Sequence, residues 1–144
     1  MYSAKKLKQA LAGLALLSFT HAASAEVVVV VSAKNPTSSL TAEQASDLFL
    51  GEVATFPSGG QAVPVDQADG AHARDEFYTK AAGKTSAQLK AYWAKVIFTG
   101  RGKPPKAAAD SATVKQLVAD NPNMIGYMDR SAVDASVKVV LTLR

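Results

Sequence analysis

Gln61–Lys80 reads QAVPVDQADGAHARDEFYTK, and how this stretch folds decides the rest. Ala62–Val65 predicts a short buried strand, and Asp66–Gly70 is polar and ends in glycine, a turn. A helix follows, carrying Arg74, Phe77 and Tyr78, with Asp69 placed to cap it through its carboxylate. Gly70 permits a sharp turn or a close approach of backbone to a ligand. A strand that feeds a glycine turn into a helix N-terminus gathers unpaired N–H groups and a positive dipole end at one point, which is a general anion site. The same arrangement also serves as a plain structural connection between strand and helix. These residues alone leave both readings open.

Outward from this stretch the chain alternates strands and helices. Upstream, Val27–Ser32 holds five consecutive valines, apolar on both faces, which predicts a central strand covered on each side. Asn35-Pro36 and Ser38-Ser39 make a loop. Thr41 and Gln44 then form a capping box, with Leu40 stapling toward Ala45, and open a helix whose apolar face is Ala45, Leu48 and Phe49 and whose C-terminal stop is Gly51. Glu52–Gly60 is a second loop. Downstream, the central helix ends at Gly83, and Thr85 and Gln88 form another capping box. The helix they open places Leu89, Tyr92, Trp93, Val96 and Ile97 on one apolar face. Thr99–Ala109, with Gly100, Gly102 and Pro104-Pro105, reads as loop. Asp110 or Ser111 caps a helix bearing Val114, Leu117 and Val118, which Asn121-Pro122-Asn123 stops. Met124–Met128 is a strand in which Gly126 marks a close backbone approach. Ser131–Ala135 is a turn or short helix, and Val137–Leu143 is the last strand. The pattern predicts an α/β domain with a mixed or mostly parallel sheet flanked by helices.

The first 25 residues stand apart. Lys5, Lys6 and Lys8 precede the apolar run Leu11–Phe19, which is too short to span a bilayer, and Ala23-Ser24-Ala25 is a small-residue cleavage site. The expectation is a signal peptide over residues 1–25, cleavage after Ala25, a periplasmic mature chain over 26–144 and no lipid anchor, since no Cys follows the apolar run. Three of the 16 basic residues leave with the signal, so the mature chain balances 13 basic against 12 acidic side chains. That near-neutrality, with no basic cluster interleaved with aromatics, argues against nucleic acid as a partner. The chain has no Cys, so neither disulfides nor thiolate chemistry is available.

Three segments, Leu40–Gly51 (LTAEQASDLFLG), Val63–Phe77 and Asn123–Asp129 (NMIGYMD), together resemble the phosphate-type periplasmic substrate-binding proteins of ABC transporters, in the same serial order. The resemblance runs from about Val27 to Val140. It implies a periplasmic-binding-protein-like lobe, of which 119 residues supply one where the family has two. The segments correspond to the second lobe together with the hinge strand that enters it. It further implies phosphate or another small anion as ligand, and an ABC transporter membrane component or another periplasmic protein as partner. The family's phosphate loop reads Arg-x-x-x-Ser-Gly-Thr at the helix start. Aligned on Asp69-Gly70, this chain has Gln67 in place of the Arg, and Ala71, His72 and Ala73 in place of Ser-Gly-Thr. The charged donor and both hydroxyls are absent, so the candidate ligand-binding set is Gln67, Asp69, Gly70, Ala71, His72, Ala73 and Arg74, acting mainly through backbone N–H groups with Arg74 and His72 as substitutes.

An enzyme is not expected. His72 with Asp66, Asp69 or Asp75 lacks a nucleophile elbow of the Gly-x-Ser-x-Gly kind, and a lone His in a first helical turn is ordinarily solvated. A single His after cleavage and no Cys also leave no metal or cofactor expected. Two functions from different classes stand: a weak small-anion binding module related to transporter binding proteins, and a protein-interaction or sensor module that has kept the lobe but lost the ligand.

Overall fold

A computed structural model describes residues 26–144; the expected signal peptide lies outside the described residues. The elements run β1 (Val27–Ser32), α1 (Ala42–Phe49), β2 (Val63–Gln67), α2 (His72–Ala82), α3 (Ser86–Phe98), β3 (Lys106–Ala108), α4 (Ser111–Asp120), β4 (Met124–Asp129), a 3₁₀ turn (Arg130–Ala132) and β5 (Val137–Leu143). The five strands form one sheet in the order β3-β2-β4-β1-β5. β2 lies parallel to β3 and β4, whereas β1 is antiparallel to both of its neighbours. The sheet is therefore mixed, with four strands pointing one way and β1 against them.

The valine run explains the layering. Alternate residues of a strand point to opposite faces, and every residue of β1 is buried. Val27, Val29 and Val31 pack into the larger core beneath α1, α2 and α3, and Val28 and Val30 pack into the smaller one beneath α4. Each fully buried valine contributes roughly 1.5–3 kcal/mol of transfer free energy. A strand apolar on both faces is thus stable only between two helical layers, and here it has them.

Local signals set the helix ends. The Thr41 hydroxyl accepts from the Gln44 N–H at 3.1 Å while the Thr41 N–H donates to Gln44 Oε1 at 2.9 Å. Thr85 and Gln88 repeat the exchange at 3.2 and 2.9 Å. Asp110 is the cap of α4, accepting from the Thr113 N–H at 2.9 Å. Gly83 ends α2 in the left-handed region, at φ 63°. On β4, a Cβ at Gly126 would lie 2.4 Å from Val114 Cγ1, so glycine there lets α4 settle directly onto the sheet.

Three expectations are corrected. Thr99–Ala109 is not all loop: Lys106–Ala108 pairs with β2 as the sheet's edge. Pairing with a formed neighbour overrides the weak β-propensity of Lys-Ala-Ala. Asp66 and Gln67 belong to the strand rather than to the turn. The apolar faces of α3 and α4 are narrower than the spacing implied. Leu89 and Trp93 are buried, but Ile97 is 55 % exposed and Leu117 37 %, because no further element among the described residues covers them.

Candidate functional site

The corner between β2 and α2 is built around a buried carboxylate. Asp66 is 2 % exposed and accepts from the Tyr78 hydroxyl at 2.7 Å, from the Tyr127 hydroxyl in a short hydrogen bond, and from the Gln67 N–H at 2.9 Å. Arg74 closes the arrangement, with Nη1 3.1 Å from Asp66 Oδ2 and 3.0 Å from the Gln67 carbonyl oxygen. A buried charge needs this degree of pairing, since an uncompensated carboxylate in the interior is strongly disfavoured. The helical register puts Arg74 and Tyr78 four residues apart on one face of α2, and β4 brings Tyr127 to the same point. Burial, and then the Asp66 carboxylate, push both phenols far above the ordinary tyrosine range. Both tyrosines are therefore fixed as neutral donors. Phe77 stacks on the Tyr127 ring at 4.4 Å and meets Phe49 at 4.6 Å, which holds the corner onto the core.

The expected site residues divide into two groups. Gln67 faces inward: it is 2 % exposed, and its Nε2 donates to the Tyr127 carbonyl at 3.0 Å and to Ser111 Oγ at 3.2 Å. The Gln67 side chain therefore ties β2 to β4 and α4. Asp69 does not cap the helix. Ala71 occupies the N-cap position with no side-chain hydrogen bond, and Asp69 is exposed on the turn before it. The turn is closed instead by the backbone, with the Ala71 N–H on the Ala68 carbonyl at 3.0 Å, and Gly70 takes φ 87°, a region that glycine enters without steric cost. His72 is exposed and Ala73 buried. Their N–H groups have no hydrogen-bond partner among the described residues; in the first turn of a helix, such groups point toward whatever lies beyond its end.

Arg74, expected as a substitute anion ligand, is tied to the interior by one of its nitrogens. Its Nη1 is committed to Asp66 and Gln67, and Nε and Nη2 have no hydrogen-bond partner among the described residues. The guanidinium is thus braced from inside, with one edge left over. Asp66 and Tyr127 are the members that sequence reasoning missed. Strict alternation along VPVDQ, which turns Asp66 away from Val65, was the one available hint that Asp66 is not part of a solvated turn.

Beside this corner lies a hollow of about 350 Å3 between α2 and α3, with Arg74 and Lys90 on its wall. A larger apolar groove of about 600 Å3 runs past Val53, Pro64, Pro105 and Met124.

The fold defines the class: one α/β lobe of the substrate-binding-protein type. The solved structures it resembles include phosphate ABC transporter substrate-binding proteins. A structure from Clostridium perfringens, assigned to that function and containing bound phosphate, superposes with a TM-score of 0.64 at 27 % identity, over 80 % of this chain and 44 % of its own. An ABC-type phosphate transport receptor from Vibrio cholerae gives 0.65 at 21 % identity, over 80 % and 45 %. PstS from Borrelia burgdorferi gives 0.61 at 9 % identity, over 80 % and 46 %. The chain therefore spans less than half the length of these structures, the extent of one lobe of a two-lobed protein. No family model and no curated protein matches it.

Proposed function

We propose that this chain is an exported, single-lobe relative of the phosphate transporter binding proteins that takes a small oxyanion weakly at the start of α2. The observation that carries the reading is the pair of unpartnered N–H groups of His72 and Ala73, at the end of an eleven-residue helix whose entry turn is set by Gly70. Helix-terminal donors and the dipole act together on an anion. The likeness to a phosphate-containing structure at 27 % identity supports a small anion as the class of ligand.

The affinity is limited by the neighbourhood. Asp69 and Asp75 are exposed near the same turn, and no hydroxyl or free arginine stands where the family's loop has them. Exposed charge contacts contribute about 0–1 kcal/mol each, so the expected dissociation constant is on the order of high micromolar to millimolar. Calorimetric titration of phosphate and sulfate, at low and moderate salt, tests this. Submicromolar binding would mean a preorganised pocket completed by another lobe or chain. Absence of any oxyanion binding would refute the reading and turn attention to a protein partner. Intact mass of the exported chain checks the export half, with Glu26 expected as the first residue.

A further inference from the structure

The hollow between α2 and α3 is not shaped for a bare inorganic ion. Its wall carries two cations, Arg74 and Lys90, one carboxylate, Asp69, and an apolar side made by Trp93, Ile97 and Pro104. At about 350 Å3 it lies at the lower end of the range for organic-ligand pockets, roughly 300–1,000 Å3. The buried Asp66 holds one Arg74 nitrogen, which leaves the other guanidinium N–H groups fixed in place and unspent. Bracing of this kind lowers the ordering cost of binding an anion. With Asp66 already pairing Arg74 from behind, the wall offers Lys90 and the unspent guanidinium N–H groups beside Asp69, donors that suit one weakly held carboxylate better than a polyanion. Ile97 is 55 % exposed although apolar. The indole N–H of Trp93, itself buried, has no hydrogen-bond partner among the described residues.

We infer that this hollow binds a small organic monocarboxylate bearing an apolar group, its carboxylate toward Arg74 and Lys90 and its apolar part against Trp93, Ile97 and Pro104. The inference rests on the small-anion reading of the lobe but names a different ligand class and a neighbouring position. Lys90 supplies the charge that no internal acid claims, and Ile97 sets the preference for an apolar ligand over a bare anion.

Trp93 is the single tryptophan of the chain and borders both the hollow and the larger groove, so its fluorescence reports binding at either, and variants of Lys90 and Ile97, which line only the hollow, assign the signal. Phenylacetate, acetate and inorganic phosphate are titrated into the purified protein while Trp93 emission is followed, with calorimetry in parallel. Phenylacetate is expected to shift the emission and to bind about tenfold more tightly than acetate, through the apolar area it buries. Lys90→Ala is expected to weaken both carboxylates about two- to fivefold. Ile97→Ala is expected to abolish most of the gap between phenylacetate and acetate while leaving acetate unchanged. Both positions are exposed, so circular dichroism and melting temperature should stay native. Equal affinity for phenylacetate and acetate, or a gap that survives Ile97→Ala, overturns the inference. Phosphate binding without any phenylacetate preference removes this inference and keeps the oxyanion reading. Phenylacetate-selective binding without phosphate does the reverse.

Discussion

Asp66 and the three side chains that donate to it are the most consequential residues in the molecule. Removing Arg74 leaves a buried carboxylate with its tyrosine donors but without its cation. Because Arg74 is itself partly exposed, Arg74→Ala is expected to cost about 1–3 kcal/mol. Arg74→Lys, which keeps the charge but not the fork, should cost less. Urea unfolding of the two variants checks the order, and a midpoint unchanged in Arg74→Ala would show that Asp66 does not depend on it. The same cluster sets a limit at high pH. Tyr78 and Tyr127 have folded-state pKa values raised above the unfolded value of about 10. Their contribution is fully present below that pH and is lost as pH rises above it, because only the unfolded chain releases these protons. Stability measured from pH 8 to 11 should therefore fall beyond about pH 10, and two phenols should ionise only as the chain unfolds. Phenolate absorbance that develops fully in the native protein would contradict this.

Among the elements, α3 and α4 carry the sharpest tests. Trp93 is 7 % exposed and packs edge-on to Tyr92 at 5.1 Å, so Trp93→Ala is expected to destabilise by about 3–5 kcal/mol. A melting temperature within a degree or two of the parent would place the indole at the surface. Gly126→Ala tests the seat of α4: a methyl against Val114 should cost about 1–3 kcal/mol through overpacking, read as a lower urea midpoint with an unchanged slope. Elements with local signals were legible in the sequence. The capping boxes at Thr41 and Thr85, the doubly apolar run Val27–Val31 and the close approach at Gly126 each state their structure within a few residues. What depends on distant partners was not. β3 exists because β2 is beside it, and Asp66 is buried because Tyr127 arrives from 61 residues away. Of the candidate site, the turn at Gly70 and the helix start were legible, whereas the inward rotation of Gln67 and the bracing of Arg74 were hidden by the same long-range packing. Ile97 shows the opposite limit, since helical spacing gives a face but not the neighbour that would cover it.

At the scale of the whole molecule, the sheet joins the two ends of the described chain. β1 is bordered by β4 and β5, with Val29 opposite Tyr127 on one side and Leu141 on the other, and no strand near it in sequence borders it. A chain delivered N-terminus first thus presents five adjacent valines roughly a hundred residues before anything can pair with them. Such a segment, β-branched and uncharged, is of the kind that stacks with copies of itself when left unpaired. Folding must also wait for closure of a long loop, which slows it. A variant ending at Asp134, which keeps β4 but lacks β5, is expected to aggregate on dilution from urea at concentrations where the intact chain refolds to a monomer, as light scattering would show; clean refolding of the variant would mean that β4 alone shields the run. Assembly of this lobe is therefore a late-closing event: the flank of the valine run is sealed only once β5 is in place, so the chain stays dependent on being kept apart from its copies until that strand has been delivered.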